Sequence, residues 1–225
     1  GLKLRPEFII SLAQIKKACA ICNHAVGELD EKIKNAIVQA CDEIIEGALE
    51  DCFICDVIQG GAGTSINMNA NEVIANRAIE HLGGQKGDYS IVHPNDHVNR
   101  AQSTNDVFPT SIKVCISHKG KALLQALDSL ASELEAKAIE YKDILKMGRT
   151  HLQDAVPITL GQEMGSYASS VRRGMKRIQH AIDEIHTMNM GGTAVGTGLN
   201  AEPAYIKAVA EKLSEVTGET WHTAD

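Results

Sequence analysis

The sequence predicts an all-α protein in which a small helical N-terminal domain is followed by the long helices of a central helical bundle. Apolar residues recur every three or four positions through most of the 225 residues, which is the spacing of an amphipathic helix. Aromatic residues make up only 4% of the chain, which leaves little strand-forming material outside short connections. We predict that the two domains cover residues 1–105 and 106–225.

Composition and charge limit the class of protein. The chain has 44% hydrophobic residues and a formal net charge of −7, which is ordinary for a globular protein but unfavourable for a nucleic-acid-binding surface. No run of about 18 apolar residues is present, so we expect no membrane partner, and a cytoplasmic protein is the simplest interpretation. Because acidic residues are in excess, any anion site has to be built locally from amides, hydroxyls and helix N-termini.

Two Cys-x-x-Cys pairs, Cys19 with Cys22 and Cys52 with Cys55, superficially resemble the ligands of a zinc site. Cys19 and Cys22, however, lie in a helical pattern that includes Ile15 and contains no tight turn. We therefore interpret them as small core residues in a reducing compartment. We expect neither a metal nor a cofactor.

Three helices are predicted in the first part of the chain. Amphipathic patterns indicate helices at about residues 6–26 and 30–49. A third helix, at about residues 69–82, ends at Gly83, as expected of a left-handed C-terminal cap. Residues 85–106 are rich in Gly, Pro, Asn and Asp, and we predict a loop there.

Two long helices and a shorter one follow. The first, at about residues 111–145, would be about 50 Å long at a rise of about 1.5 Å per residue. The second opens at Thr159, whose hydroxyl forms a capping-box pattern with Gln162. The last has Pro203 in its first turn and stops at Gly218. Because such long apolar stripes cannot be buried in a small monomer, we expect other segments or subunits to complete the bundle.

Three loops are rich in hydrogen-bonding groups but contain no obvious nucleophile or metal cluster. The first, residues 59–69, is a glycine run that leads into a helix and lacks the Lys of a phosphate loop. Its backbone amides, together with Thr64 and Ser65, suit a carboxylate. A flexible, capped connection remains the alternative interpretation of this loop.

The other two loops precede and follow the first long helix. Residues 93–106 include the consecutive neutral donors Ser103, Thr104 and Asn105, and an N-cap needs only one of them, which favours an anion site. Residues 146–157 include Thr150 and His151. A lone histidine such as His151 is more often structural than catalytic, so its role depends on its neighbours.

Together with residues 191–200, these loops resemble the fumarase/aspartase family in order and spacing over essentially the whole chain. Gly-Ala-Gly-Thr-Ser at residues 61–65, Thr-His-Leu-Gln-Asp at 150–154 and Leu-Asn-Ala-Glu-Pro at 199–203 are closer to the aspartase forms of these motifs. The resemblance implies elimination of ammonia from L-aspartate to give fumarate through an aci-carboxylate intermediate, in a homotetramer that shares its sites between subunits. The alternatives are a class II fumarase, a catalytically silent helical scaffold and a stand-alone binding module.

The resemblance also implies roles for individual residues. The carboxylate next to the carbon that loses a proton would be held by Thr64, Ser103, Thr104 and Asn105, and Ser65 would also bind the substrate. Thr150 and His151 would bind near the α-carboxylate and the amine, with His151 orienting the substrate or transferring a proton. A secondary anion site would consist of His93, Asn95 and Asp96. In the family the serine base lies in a loop that we expect beyond Asp225, and another segment precedes Gly1, so we expect a truncated chain that is inactive alone.

Overall fold

A computed structural model describes residues 1–224, and six α-helices dominate it. The helices are α1 (Pro6–Ala25), α2 (Glu31–Ile45), α3 (Thr64–His81), α4 (Thr104–Glu140), α5 (Leu160–Ile185) and α6 (Pro203–Thr217). The strands are β1 (Leu145–Thr150), β2 (Gln153–Thr159), β3 (Thr187–Met188) and β4 (His222–Thr223). The predicted all-helical class is confirmed, with one unexpected β-hairpin. Among these residues, no helix combines the length and the apolar character that a membrane crossing requires.

The chain forms two compact units. The first unit consists of Gly1–Cys115 and His186–Asp225, and the second consists of Ile116–Ile185. The two units are defined by contacts within this chain, and they do not test a domain boundary. The boundary that we place between residues 105 and 106 therefore stays a prediction.

Helix α1 forms the centre of the first unit and packs against α2, α3 and α6. Its interior face consists mainly of small and aliphatic side chains, with Lys16 as a buried exception, which allows close approach of the neighbouring helices. Cys19 and Cys22 are fully buried inside this helix, so the interpretation of these residues as part of a helical core is confirmed. Tyr205 of α6 is also fully buried, and its hydroxyl donates to Cys19 Sγ at 3.2 Å.

Two helices of the first unit begin earlier than the sequence predicts. Helix α3 starts at Thr64 rather than near residue 69, directly after Gly63, whose φ of 92° is left-handed. Helix α4 starts at Thr104 rather than near residue 111, because Ser103 and Asp106 cap its first turn. The polar residues that favour a loop in the sequence are therefore cap and first-turn residues. The predicted end of α6 at Gly218, with a φ of 71°, is confirmed.

The second unit contains the unexpected β-hairpin. Strands β1 and β2 pair in antiparallel register, with an irregularity between Met147 and Arg149, where the sequence predicts the end of a helix and a loop. Gly148 and Pro157 favour a loop locally, whereas the strands are stabilised by pairing across the hairpin. The capping box at the start of α5 is confirmed, since Thr159 N donates to Gln162 Oε1 at 2.9 Å and Gln162 N donates to Thr159 Oγ1 at 3.1 Å.

Candidate active site

The start of α4 presents the three neutral donors in three different environments. Ser103 Oγ accepts the backbone N–H of Asn105 at 3.2 Å and thus serves as the helix cap. Thr104 is half-buried, and its Oγ1 accepts a hydrogen bond from Asn67 Nδ2 at 3.1 Å. Asn105 Nδ2 donates to the carbonyl oxygen of Ala194 at 2.8 Å. Within this chain, Asn105 therefore ties the helix start to the glycine-rich loop of residues 191–200.

Asp106 binds the backbone of the same glycine-rich loop and of the residue before α4. Its side chain is fully buried, and its two carboxylate oxygens accept the backbone N–H of Ser103 at 2.9 Å and of Thr193 at 3.1 Å. Burial raises the pKa of Asp106, while the N–H donors of Ser103 and Thr193 oppose that rise. This carboxylate fixes the backbone on both sides of the candidate site.

A buried lysine supports the loop from α1. Lys16 is fully buried, and its Nζ donates to Asn99 Oδ1 and to Gln102 Oε1, both at 2.9 Å. Burial lowers the pKa of Lys16 to about 8. Asn67 Nδ2 reaches the same Asn99 Oδ1 at 3.3 Å, so the network continues from Lys16 to Thr104.

The first loop approaches the start of α4 through a glycine. A Cβ added to Gly63 would lie 2.4 Å from the ring of Phe108, and the φ of Gly63 is 92°. Only glycine therefore satisfies both the backbone conformation and the close approach. Thr64 and Ser65 follow at the exposed start of α3, where Thr64 Oγ1 donates to the carbonyl oxygen of Gly61 at 2.8 Å.

Two cavities of the first unit meet at Thr104. One, of about 350 Å³, is lined by polar residues of the second loop and of the glycine-rich loop, including Ser103, Thr104 and Thr193. The other, of about 480 Å³, is more apolar and is lined by residues that include Gly63, Thr104 and Asn105. Both volumes fall within the range of about 300–1,000 Å³ that is typical of small-ligand pockets. Thr64 and Ser65 line neither cavity.

The residues of the predicted secondary anion site lie together at the π-helical turn Pro94–Val98. His93 Nδ1 accepts the backbone N–H of Asn95 at 3.2 Å and of Asp96 at 3.1 Å. Those two amides are thus already bonded, and the carboxylate oxygen Oδ2 of Asp96 lies 3.2 Å from the same ring nitrogen. A secondary anion site at these residues stays a prediction.

Thr150 and His151 lie at the tip of the hairpin in the second unit. Thr150 pairs with Gln153, and the turn between them consists of His151, with a φ of 48°, and Leu152, with a φ of 62°. Left-handed backbone at two non-glycine residues is unusual and costs energy, and such strain is concentrated at functional sites. Both Thr150 and His151 are exposed. They belong to the second unit, whereas the donors at the start of α4 belong to the first. The structure therefore does not bring Thr150 and His151 together with those donors.

Sequence reasoning missed the residues that hold the donors in place, namely the fully buried Lys16, Asn67 and Asp106 and the half-buried Asn99 and Gln102. One sequence signal was available for Lys16, which follows Leu12 by four positions and therefore lies on the apolar face of α1. Long charged residues are almost never fully buried without partners, so a lysine on such a face indicates a polar network.

Comparisons with known proteins identify the family of the chain. A profile of the family described as Lyase matches residues 2–225. The aspartate ammonia-lyase of Bacillus subtilis (strain 168) is 53% identical over 218 residues, which are 97% of this chain and 46% of that protein. The class II fumarate hydratase of Caulobacter vibrioides is 51% identical over 215 residues, which are 95% of this chain and 46% of that protein.

Solved structures share the fold. The crystal structure of a fumarate lyase:delta crystallin from Brucella melitensis bound to cobalt superimposes with a TM-score of 0.94 at 47% sequence identity, covering 98% of this chain and 48% of that one. The chain spans about half the length of the curated relatives it matches. Because the family match extends over almost the whole chain and includes every loop described above, the protein belongs to the fumarase/aspartase family of lyases.

Proposed function

We propose that this chain is part of an aspartate ammonia-lyase, which eliminates ammonia from L-aspartate to give fumarate. The observation that supports this most is the set of neutral donors at the start of α4: Ser103 and Thr104 line the cavity of about 350 Å³, and Asn105 lines the adjoining cavity of about 480 Å³. The 53% identity to an aspartate ammonia-lyase and the aspartase-like motifs favour ammonia as the leaving group.

The chemistry explains why neutral donors suit this site. In the elimination, a base takes a proton from the β-carbon of L-aspartate, and the β-carboxylate becomes an aci-carboxylate dianion. Ammonia then leaves from the α-carbon with the electron pair of the C–N bond as the double bond of fumarate forms. The difficult species is the dianion, and hydroxyl and amide donors bind it more tightly as its charge grows. Loss of one such preorganised donor typically costs about 3 kcal/mol of transition-state stabilisation.

The remaining site residues complete the proposal. Thr64 and Ser65 would contribute from the first loop, while Thr150 and His151 would bind near the α-carboxylate and the amine, with His151 orienting the substrate. In the proposed homotetramer, loops from different subunits would form each site. The exposed hairpin tip supports this proposal, because exposed, strained turn residues are available to a neighbouring subunit. A cytoplasmic location belongs to the same proposal, supported by the buried thiols of Cys19, Cys22 and Cys41.

The proposal is tested with the complete protein that contains this chain, by following fumarate release from L-aspartate. Thr104→Val and Thr150→Val each remove one donor with little change in shape, and we expect each to lower kcat about 100-fold or more. Ser129→Ala is the matched control, because Ser129 is an exposed hydroxyl that donates only to the carbonyl oxygen of Gln125. Wild-type turnover in both threonine variants would remove these residues from the site.

A class II fumarate hydratase is the second candidate, favoured by the 51% identity to such an enzyme. It would carry out the same elimination with water, rather than ammonia, as the leaving group. The substrate decides between the two candidates. Fumarate release from L-aspartate supports the ammonia-lyase, whereas a complete protein that acts on L-malate alone would contradict the proposal.

A further inference from the structure

A continuous line of hydrogen bonds joins the buried ammonium group of α1 to a donor of the candidate site. Lys16 Nζ donates to Asn99 Oδ1 at 2.9 Å, Asn67 Nδ2 donates to the same oxygen at 3.3 Å, and Asn67 Nδ2 also donates to Thr104 Oγ1 at 3.1 Å. Lys16 and Asn67 are fully buried. Asn99 and Thr104 are half-buried, so water competes with these bonds less than it would at the surface.

The chemistry of a protonated lysine fixes the direction of every bond in this line. An ammonium group only donates, so it selects the oxygen of the Asn99 amide. Asn67 must then present its NH₂ group to that oxygen, because its own oxygen would repel it. Rotation of the Asn67 amide by 180° would replace this hydrogen bond with a contact between two acceptors.

The structure shows the Asn67 amide in the orientation that this chemistry requires, with its oxygen unpaired. Among residues 1–224, the buried Oδ1 of Asn67 has no hydrogen-bond partner. Leaving a buried amide oxygen unpaired is costly. If the amide were turned over, this oxygen could accept the Thr104 hydroxyl proton, yet the observed orientation leaves it without a partner and keeps the NH₂ group toward Asn99 and Thr104. The Asn67 amide thus keeps its NH₂ group toward Asn99 Oδ1, the oxygen that Lys16 selects, and leaves its own oxygen unpaired.

The orientation of the Asn67 amide determines the direction in which the Thr104 hydroxyl can donate. Because Thr104 Oγ1 accepts from Asn67, its own proton cannot point toward α3 and is directed elsewhere. No acceptor in the described part of the chain takes that proton. Thr104 also lines both cavities at the start of α4. Its O–H group is thus set as a donor to whatever occupies them.

We propose that Lys16, acting through Asn99 and Asn67, is a positioning residue that holds the Thr104 hydroxyl as a preoriented donor to the substrate carboxylate. The proposal rests on the proposed function, since it specifies how one donor of that site is prepared. A donor that is already oriented needs no reorganisation when the charge of the dianion develops, so its loss should lower kcat more than it raises KM.

A double-mutant cycle in the complete protein tests the proposal. Asn67→Leu removes the polarity of the amide at similar volume, and Thr104→Val removes the hydroxyl. We expect Thr104→Val to lower kcat about 100-fold and Asn67→Leu about 10-fold or more, because the hydroxyl remains but is no longer oriented. If Asn67 acts through this hydroxyl, the double variant should match Thr104→Val within about threefold.

Two further variants separate positioning from folding. Asn71→Leu is the matched control, because Asn71 is an equally buried amide on α3 whose side chain contacts Met68 Sδ rather than Thr104. It should keep kcat within about threefold of wild type. Lys16→Met should repeat the behaviour of Asn67→Leu; if it does not fold, the Asn67 cycle still decides the question.

The outcomes separate this proposal from the proposed function. Fumarate release by the wild-type protein tests the function itself. In an active enzyme, the positioning role is overturned if the effects of Asn67→Leu and Thr104→Val multiply, if Asn71→Leu is as damaging as Asn67→Leu, or if Thr104→Val keeps wild-type turnover.

Discussion

Replacing Asp106 with asparagine tests how the backbone around the candidate site is held. The carboxylate accepts the N–H groups of Ser103 and Thr193 with one oxygen each, at 2.9 and 3.1 Å. An asparagine of the same shape has only one oxygen. In Asp106→Asn, one of the two backbone N–H groups therefore loses its acceptor and faces an NH₂ group.

The size of the effect follows from two losses of stability and one opposing gain. An unsatisfied buried donor costs about 1–3 kcal/mol, and a hydrogen bond to a charged group contributes about 1.5–3 kcal/mol. Burial raises the pKa of Asp106, which shows that its ionised form is itself unfavourable in the fold, so removing the charge returns part of that cost. We expect a net local destabilisation of about 2 kcal/mol, equivalent to about 30-fold more frequent opening.

Amide hydrogen exchange measures this opening directly. In Asp106→Asn, we expect at least one of the two amides, that of Thr193 or that of Ser103, to exchange about 30-fold faster than in wild type, with kcat reduced. Asp42→Asn is the control, because Asp42 is paired with Lys17 near the surface at 2.6 Å and should leave these amides unchanged. Unchanged exchange at both Thr193 and Ser103 in Asp106→Asn would refute the anchoring role.

Two further predictions concern stability. Thr159→Ala breaks the capping box of α5 and should lower the free energy of unfolding by about 1 kcal/mol in chemical denaturation; no loss would contradict the capping role. Burial raises the pKa of Cys22 to about 11 from an ordinary value of 9.0, so its stabilising contribution is complete below pH 9 and is lost as pH rises toward 11. Cys22→Ala should therefore lose less stability than wild type between pH 8 and pH 10, by on the order of 1 kcal/mol, and parallel pH profiles would contradict this.

Local sequence signals predicted the helical part of the fold well. The end of α6 at Gly218 and the capping box of Thr159 with Gln162 are both confirmed. Each depends on residues within one turn of each other, so the sequence contains all the necessary information. The β-hairpin was missed because its strands are stabilised by pairing with each other, against the local preference of Gly148 and Pro157.

The donors that line the cavities were predicted from the sequence, whereas the residues that hold these donors in place were missed. Thr104 and Asn105 stand out in the sequence as consecutive donors, and the structure places both at cavities. Nothing local shows that Lys16 bonds to Asn99 and Gln102, which are 83 and 86 positions away. Such a contact exists only once α1 and the second loop have packed together, which no short sequence pattern records.

We propose that uncharged donors from separate loops surround the carboxylate that becomes doubly negative. A crystal structure of the complete protein with bound fumarate tests it most directly. We expect one carboxylate to accept hydrogen bonds from Ser103, Thr104 and Asn105, and the other to lie beside Thr150 and His151 of the hairpin tip. A fumarate bound away from Thr104, or held mainly by lysine and arginine side chains, would contradict the account.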